Sequence, residues 1–185
     1  MNSLSEKSIV ISPVGSHDPD ILSLVSREIE MFFGYETKTI PLLENIDFAI
    51  DFKRNQYYST IVLEKLADRA PVNAIKVLAI TEYDLFIPIL THVFGEAQLG
   101  GKTCIISTYR LVKDLPSMEW EKALKLRIVK ESLHELGHTF KLRHCKDKSC
   151  IMRYSRSMQD VDRKSNQLCR YCRRLLDDEV ERLSV

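Results

Sequence analysis

From His134 to Cys145 the chain reads His-Glu-Leu-Gly-His-Thr-Phe-Lys-Leu-Arg-His-Cys. Three imidazoles and a carboxylate stand here at a spacing that lets one helix and the turn after it gather them about a zinc ion. Residues four apart on a helix lie one turn apart on the same face, so His134 and His138 can aim a nitrogen at one point. Glu135, next round the cylinder, sits close to that point yet is free to handle a proton. His144, six residues beyond His138, cannot come from the same face, so the chain must bend after about Phe140 to bring it back. Three neutral nitrogens leave a fourth coordination position open, which separates a catalytic zinc from a structural one. The short His-Glu-x-x-His pattern also occurs by chance on surface helices. The third histidine at the extended spacing is what makes it a catalytic-zinc signature.

Four of the five cysteines follow at once, as Cys145-x4-Cys150 and Cys169-x2-Cys172. Two such pairs some twenty residues apart form a four-thiolate zinc pattern, against the competing reading of two disulfides. The opening residues, Met1 to Ser8, are polar rather than a hydrophobic leader. The expectation is therefore a cytoplasmic, reducing setting in which metal binding outranks disulfide formation. His144 and Cys145 share a peptide bond, so ordering one metal site should help order the other. Structural zinc contributes on the order of 10 kcal/mol to such a segment, and the stretch from Cys145 to Cys172 is charged and poor in core residues. Cys104, among strand formers, reads as a buried thiol acting as a small apolar side chain.

The run His134-x3-His138-x5-His144-Cys145-x4-Cys150-x-Met152, closed by Cys169-x2-Cys172, resembles the archaemetzincins, a branch of the metzincin zinc metallopeptidases. Gln56-Tyr57-Tyr58-Ser59, Phe94-Gly95-Glu96-Ala97 and Ile106-Ser107-Thr108-Tyr109-Arg110-Leu111 resemble stretches of that family too. The resemblance implies that His134, His138 and His144 bind the catalytic zinc, that Glu135 is the general base, and that Cys145, Cys150, Cys169 and Cys172 hold a structural zinc. Two zinc ions per chain are thus expected. Met152 matches the Met-turn methionine that floors the catalytic metal. The implied reaction is hydrolysis of peptide bonds in a peptide or protein, with an aminopeptidase-like preference for short peptides as a narrower expectation.

One position departs from the pattern. The third residue after the second histidine is usually glycine, which takes a left-handed backbone cheaply; here it is Lys141. A side chain there costs roughly 1–2 kcal/mol, which zinc binding can outweigh. Its ammonium lies near the metal unless it turns away. Tyr154, two residues past Met152, stands where certain metzincins carry a tyrosine that reaches the zinc or the developing oxyanion. The ordinary alternative is a partly buried ring with its hydroxyl satisfied.

The elements that must position these residues follow from periodicity. Strands are expected at Ser8–Val14, Tyr35–Ile40, Ala74–Ile80, Thr91–Ala97 and Thr103–Thr108, with Gly100-Gly101 as the break between the last two. Helices are expected from about Asp20 to Phe33 with Asp18 as cap and Pro19 in the first turn, and from Ser59 or Thr60 to Asp68. A long helix opens at Pro116-Ser117 and runs through about Phe140, with Ala123, Leu124, Leu126, Ile128, Val129, Leu133 and Leu136 facing the core. A last helix spans about Cys169 to Leu183. Alternation of strands and helices gives an α/β fold. The family resemblance implies its metzincin form: a twisted, mostly parallel mixed sheet with an antiparallel edge strand, an active-site helix, and a small zinc-bound C-terminal subdomain with a final helix. One metallopeptidase domain would span 1–185, divided into 1–140 and 141–185. The edge strand, His92 to Ala97, would pair with an extended substrate. His92 and His17 read as surface or hydrogen-bonded residues without a catalytic role.

With 185 residues, 44% of them hydrophobic and 29% charged, the chain has the make-up of an ordinary globular domain. A formal charge of +1 offers no reason to expect nucleic acid or an anionic membrane as partner. No apolar run reaches membrane-spanning length. The basic stretch of Arg153, Arg156, Arg163, Lys164, Arg170, Arg173 and Arg174, interspersed with acids, reads as a solvated face that could favour acidic peptide side chains. Nothing in the pattern calls for an oligomer, and a monomer is the simpler expectation. Two other readings compete: a protein in which both zinc ions only organise the fold, and a zinc-ribbon adaptor for nucleic acid. Glu135 beside His134 argues against the first, since a structural site gains nothing from a base. Near-neutral charge argues against the second.

Overall fold

The computed structural model describes residues 7–184, so most of the polar opening segment lies outside the described residues. The elements run β1 (Ser8–Val14), α1 (Pro19–Phe33), β2 (Thr37–Thr39), a 3-10 turn at Asp47–Ala49, β3 (Ile50–Asp51), β4 (Gln56–Tyr58), α2 (Ser59–Arg69), β5 (Ala74–Thr81), β6 (Leu85–Phe86), β7 (Gly95–Ala97), β8 (Thr103–Ser107), α3 (Trp120–Thr139), α4 (Met158–Arg163) and α5 (Arg170–Ser184). Five strands form one sheet in the order β2-β1-β5-β8-β7. Its first four strands are parallel and β7 closes the edge antiparallel to β8. The expected α/β architecture, with its antiparallel edge strand, is therefore the one observed.

Alternation along the strands sorts the core into two layers. Ile9 and Ile11, Leu78 and Ile80, and Cys104 and Ile106 face α1 and α3, while Val10 and Val14, Val77 and Ala79, and Ile105 face α2. A sheet covered on both faces explains why β5 is apolar almost throughout. Cys104 is fully buried in the first layer, with its thiol on the Val77 carbonyl. Asp18 caps α1 through its carboxylate on the Asp20 N–H, with Pro19 opening the helix, and Gly34 closes it at φ 75°. That is the expected punctuation.

Several boundaries differ from expectation. The edge strand is only Gly95–Ala97, and His92 lies outside it; Val93 instead bridges to Leu85. The second strand shrinks to Thr37–Thr39. The long helix starts at Trp120, because the chain first makes a turn in which the Glu119 N–H reaches the Pro116 carbonyl. Leu126 faces solvent. A second, three-stranded sheet in the order β3-β4-β6 and the short helix α4 had no signal in the sequence. Elements of two to six residues are too short to show a period, and their existence depends on partners far along the chain. Among the described residues no helix is long and apolar enough to cross a membrane.

Candidate active site

Helix α3 ends in a turn that reverses the chain. The Leu142 N–H bonds the Gly137 carbonyl at 3.0 Å and the Lys141 N–H bonds the His138 carbonyl at 3.0 Å, while Lys141 sits at φ 66°. This pair of bonds about a left-handed residue is the Schellman closure. It is the bend the histidine spacing demanded, made without the usual glycine. The Lys141 ammonium turns to Glu179 of α5 at 3.2 Å and so is engaged away from the histidines. Lys76, buried beneath the same helix end, donates to the Thr139 and Gly101 carbonyls, and burial lowers its pKa to about 8. A cation there complements the negative end of the helix.

Past the bend, His144 returns to the other two histidines. The ring centroids lie 4.7 Å apart for His134 and His138, 4.8 Å for His138 and His144, and 5.4 Å for His134 and His144. His134 directs Nδ1 at the Ile151 carbonyl at 2.8 Å, and His138 directs Nδ1 at the Leu142 carbonyl at 2.7 Å. A carbonyl oxygen only accepts, so each Nδ1 must carry the proton. Both Nε2 atoms are then bare lone pairs, yet they face each other at 3.2 Å. Neither can donate to the other. Tetrahedral zinc with Zn–N of about 2.0–2.1 Å would set two ligand nitrogens roughly 3.3 Å apart, so the donor set fits that ion. Burial lowers the pKa of His134 well below the usual imidazole range, lowers that of His138 to about 4, and, with the Lys164 charge, lowers that of His144. The rings are held neutral, as metal ligands must be.

Glu135 points from α3 toward β7. Gly95 makes room for it: a Cβ there would lie 2.6 Å from Glu135 Cγ and 2.7 Å from the Ile105 carbonyl oxygen. Burial and then the neighbouring Glu131 raise the Glu135 carboxyl well above the usual range. Met152 is fully buried against the other side of α3, and a Cβ on Gly137 would come within 2.5 Å of its sulfur. Both glycines mark close approaches that no local pattern announced.

The four sulfurs of Cys145, Cys150, Cys169 and Cys172 also converge, with ligand atoms within 4.8 Å of one another. All four are free thiols. Cys145 and Cys169 sulfurs stand 3.7 Å apart, too far for a disulfide at about 2.05 Å and near the roughly 3.8 Å that two Zn–S bonds of about 2.3 Å would set. Backbone N–H groups of Cys169 and Cys172 point at the Cys150 and Cys169 sulfurs. The link to the histidines runs through residues 150 to 153. The Cys145 N–H bonds the Met152 carbonyl at 2.9 Å, and the next carbonyl back, that of Ile151, orients His134.

The basic stretch is not uniformly solvated. Lys164 is fully buried and pairs with Glu131 of α3 at 2.8 Å. Arg173 lies over the Phe32 ring and donates to its carbonyl. On α3, the buried Arg127 forks onto Asp162 and reaches the Leu111 and Lys113 carbonyls, and Lys130 donates to the Val161 and Asp162 carbonyls. These long side chains pin α4 to the histidine helix. Charged residues on a helix ordinarily read as its solvent face, so the sequence hid this role.

A cleft of about 350 Å³ opens over the histidines, walled by residues 92 to 97 on one side and Tyr154 to Arg156 on the other. His92 lines it, its ring edge-on to Phe94; His17 only bonds the Val14 carbonyl. Tyr154 is 44% exposed, packs its ring on His144 at 4.9 Å, and among the described residues its hydroxyl has no protein partner. The family stretches identified in the sequence meet around this wall. Ser59 and Thr60 donate to Glu96, and Gln56 and Arg110 both bond Asp84.

A model of Peptidase family M54 matches residues 28–178. The archaemetzincin of Methanocaldococcus jannaschii is 36% identical over 178 residues, 96% of this chain and 97% of the relative. That of Pyrococcus furiosus is 38% identical over 94% of each chain. Among solved structures, the archaemetzincin of Methanopyrus kandleri superposes with a TM-score of 0.81 at 31% identity, covering 97% of this chain and 98% of its own. A zinc-dependent peptidase from Methanocorpusculum labreanum superposes at 0.78 and 29% identity, covering 91% of this chain and 100% of its own.

Proposed function

The chain belongs to peptidase family M54, the archaemetzincins, and is a metallopeptidase; from that premise we propose that His134, His138 and His144 hold its catalytic zinc and that Glu135 is its general base. Cys145, Cys150, Cys169 and Cys172 hold a second, structural zinc, and residues 1–140 and 141–185 act as one catalytic domain. The observation that carries the reading is the pair of unprotonated Nε2 atoms facing each other at 3.2 Å, an arrangement that a shared cation makes favourable. Zinc held by these three residues would supply a Lewis acid for the scissile carbonyl and would make a water acidic enough to attack near neutral pH.

The chain's own groups do the rest. Glu135, in the cleft beside the triad, takes the proton of the attacking water and later delivers it to the leaving amine. The free edge of β7 supplies backbone groups to an extended substrate, by addition of a strand to the sheet. The Tyr154 hydroxyl, without a partner among the described residues, is close enough to the triad to donate to the oxyanion that forms from the carbonyl oxygen. Short peptides entering by their amino end are the narrower substrate class. Four thiols kept free suit a reducing compartment, and a cytoplasmic location is part of the proposal.

Glu135→Ala tests the assignment. The variant should keep two equivalents of zinc by elemental analysis while hydrolysis of a peptide library falls by about 10²–10⁴-fold. Cleavage at the wild-type rate would remove Glu135 from its role. A wild-type protein that cleaves nothing while holding both metals would instead favour a zinc-stabilised binding protein.

A further inference from the structure

We propose that Arg156 selects a substrate carboxylate, so that the enzyme prefers an acidic residue, or the carboxyl terminus of a peptide, within about three residues of the scissile bond. The inference rests on the peptidase reading above and concerns which peptides that site accepts.

The charges lining the cleft are the starting point. Glu96 is held by the hydroxyls of Ser59 and Thr60, Glu131 by Lys164, and Glu135 faces β7 beside the histidines. His92 is partly buried, and burial followed by the Arg110 charge lowers its pKa, which leaves it neutral at pH 7. Arg156 is the remaining cation of the lining. It is exposed and, among the described residues, has no ion-pair partner. Each of the other charged side chains lining the cleft has a protein partner or a reacting group to face.

The position of Arg156 is also built. Its backbone N–H donates to Asp160 Oδ2, which also accepts from the Ser157 hydroxyl at the start of α4. The main chain is therefore fixed while the side chain is left free. The guanidinium rests 5.8 Å from the centre of the Tyr154 ring, which itself packs on His144 at 4.9 Å. Through the phenol ring the guanidinium therefore lies within roughly three residues of extended chain, at ~3.4 Å each, of the His144 imidazole. A guanidinium fork matches a carboxylate in two parallel hydrogen bonds, which a neutral amide cannot reproduce. On the opposite wall the acidic side chain, Glu96, is already held by the hydroxyls of Ser59 and Thr60.

The test compares peptides that differ only as Glu or Gln at each of the three positions on either side of the scissile bond, and peptides ending in a free or an amidated carboxyl group. Wild-type enzyme should favour the carboxylate at one of these positions by about ten- to hundredfold in kcat/KM. The Glu-to-Gln series and the free-to-amidated series tell side chain from terminus. In Arg156→Ala the ratio should fall to near one, in Arg156→Lys to an intermediate value, and Arg156→Glu should invert it in favour of Lys, with zinc content and melting temperature as controls of folding. The same peptides, fluorescently labelled, are titrated into zinc-loaded Glu135→Ala protein with and without Arg156→Ala. If the wild type hydrolyses nothing but binding still discriminates through Arg156, the peptidase mechanism fails and this assignment stands. If neither the turnover ratio nor the binding ratio changes on loss of Arg156, the assignment is wrong.

Discussion

At Gly95 the strand passes the proposed base so closely that a methyl group would meet Glu135 Cγ at 2.6 Å and the Ile105 carbonyl at 2.7 Å. One contact is the proposed catalytic side chain and the other is backbone, so neither can yield without moving the strand or the proposed base. Gly95→Ala should keep its zinc but lose on the order of a hundredfold in kcat/KM, the usual scale for a misplacement of about 1 Å at a reacting centre. Elemental analysis beside peptide kinetics would check this; wild-type kcat/KM in the variant would mean the contact relaxes harmlessly. The histidines follow a related logic. Their orienting partners are the carbonyls of Ile151 and Leu142, which every residue possesses, so the tautomers are set by where the chain runs and not by what its side chains are.

Helix α3 joins the sheet to the C-terminal segment, and it does so through buried charge. Glu131 stands one turn before Glu135 and pairs with Lys164 at 2.8 Å, both side chains nearly inaccessible. Removing one partner leaves the other charge uncompensated. Lys164→Met should destabilise by about 3–5 kcal/mol, whereas adding Glu131→Gln to that change should recover much of the loss. Urea denaturation of the zinc-loaded single and double variants gives the coupling directly, and simple additivity would show that the pair is not a unit. The same helix tolerates a left-handed Lys141 at its end, with its ammonium on Glu179. The strain there, roughly 1–2 kcal/mol, is small beside what a metal bound at the proposed site would supply.

Across the whole molecule, the three imidazoles of the triad, His134 buried, His138 partly buried and His144 at the surface, stand against the buried Glu135. Burial lowers the pKa of each histidine, for His138 to about 4 against about 6.5 when unfolded. Between those values the unfolded chain takes up protons that the folded one refuses, so stability falls as pH falls through the window and levels off beneath it. For His138 alone the effect is roughly 3 kcal/mol. Glu135, with its raised pKa, acts in the opposite sense above about pH 4.5, but one group against three leaves the sign unchanged. Metal-free protein should therefore melt at steadily lower temperature from pH 6.5 to pH 4.5, by calorimetry or circular dichroism. A flat profile would mean the folded chain does not hold these rings neutral.

What the chain's order of residues determined by itself is the chemistry and its rough frame. Helical spacing put His134 and His138 on one face, the distance to His144 required a reversal, and the cysteine pairs marked out the four thiols that converge beside it. Apolar periodicity placed the long strands and helices, because side-chain direction repeats every 2 or 3.6 residues whatever lies opposite. Only the tertiary structure decided how the wall of the cleft is made. The edge strand is three residues long, β4 and β6 exist because they meet, and Lys164, a solvated cation by composition, becomes a buried partner of Glu131 because α4 folds across α3. Such contacts join residues far apart in the chain. Their energy comes from desolvation and pairing at a meeting point that no local window contains.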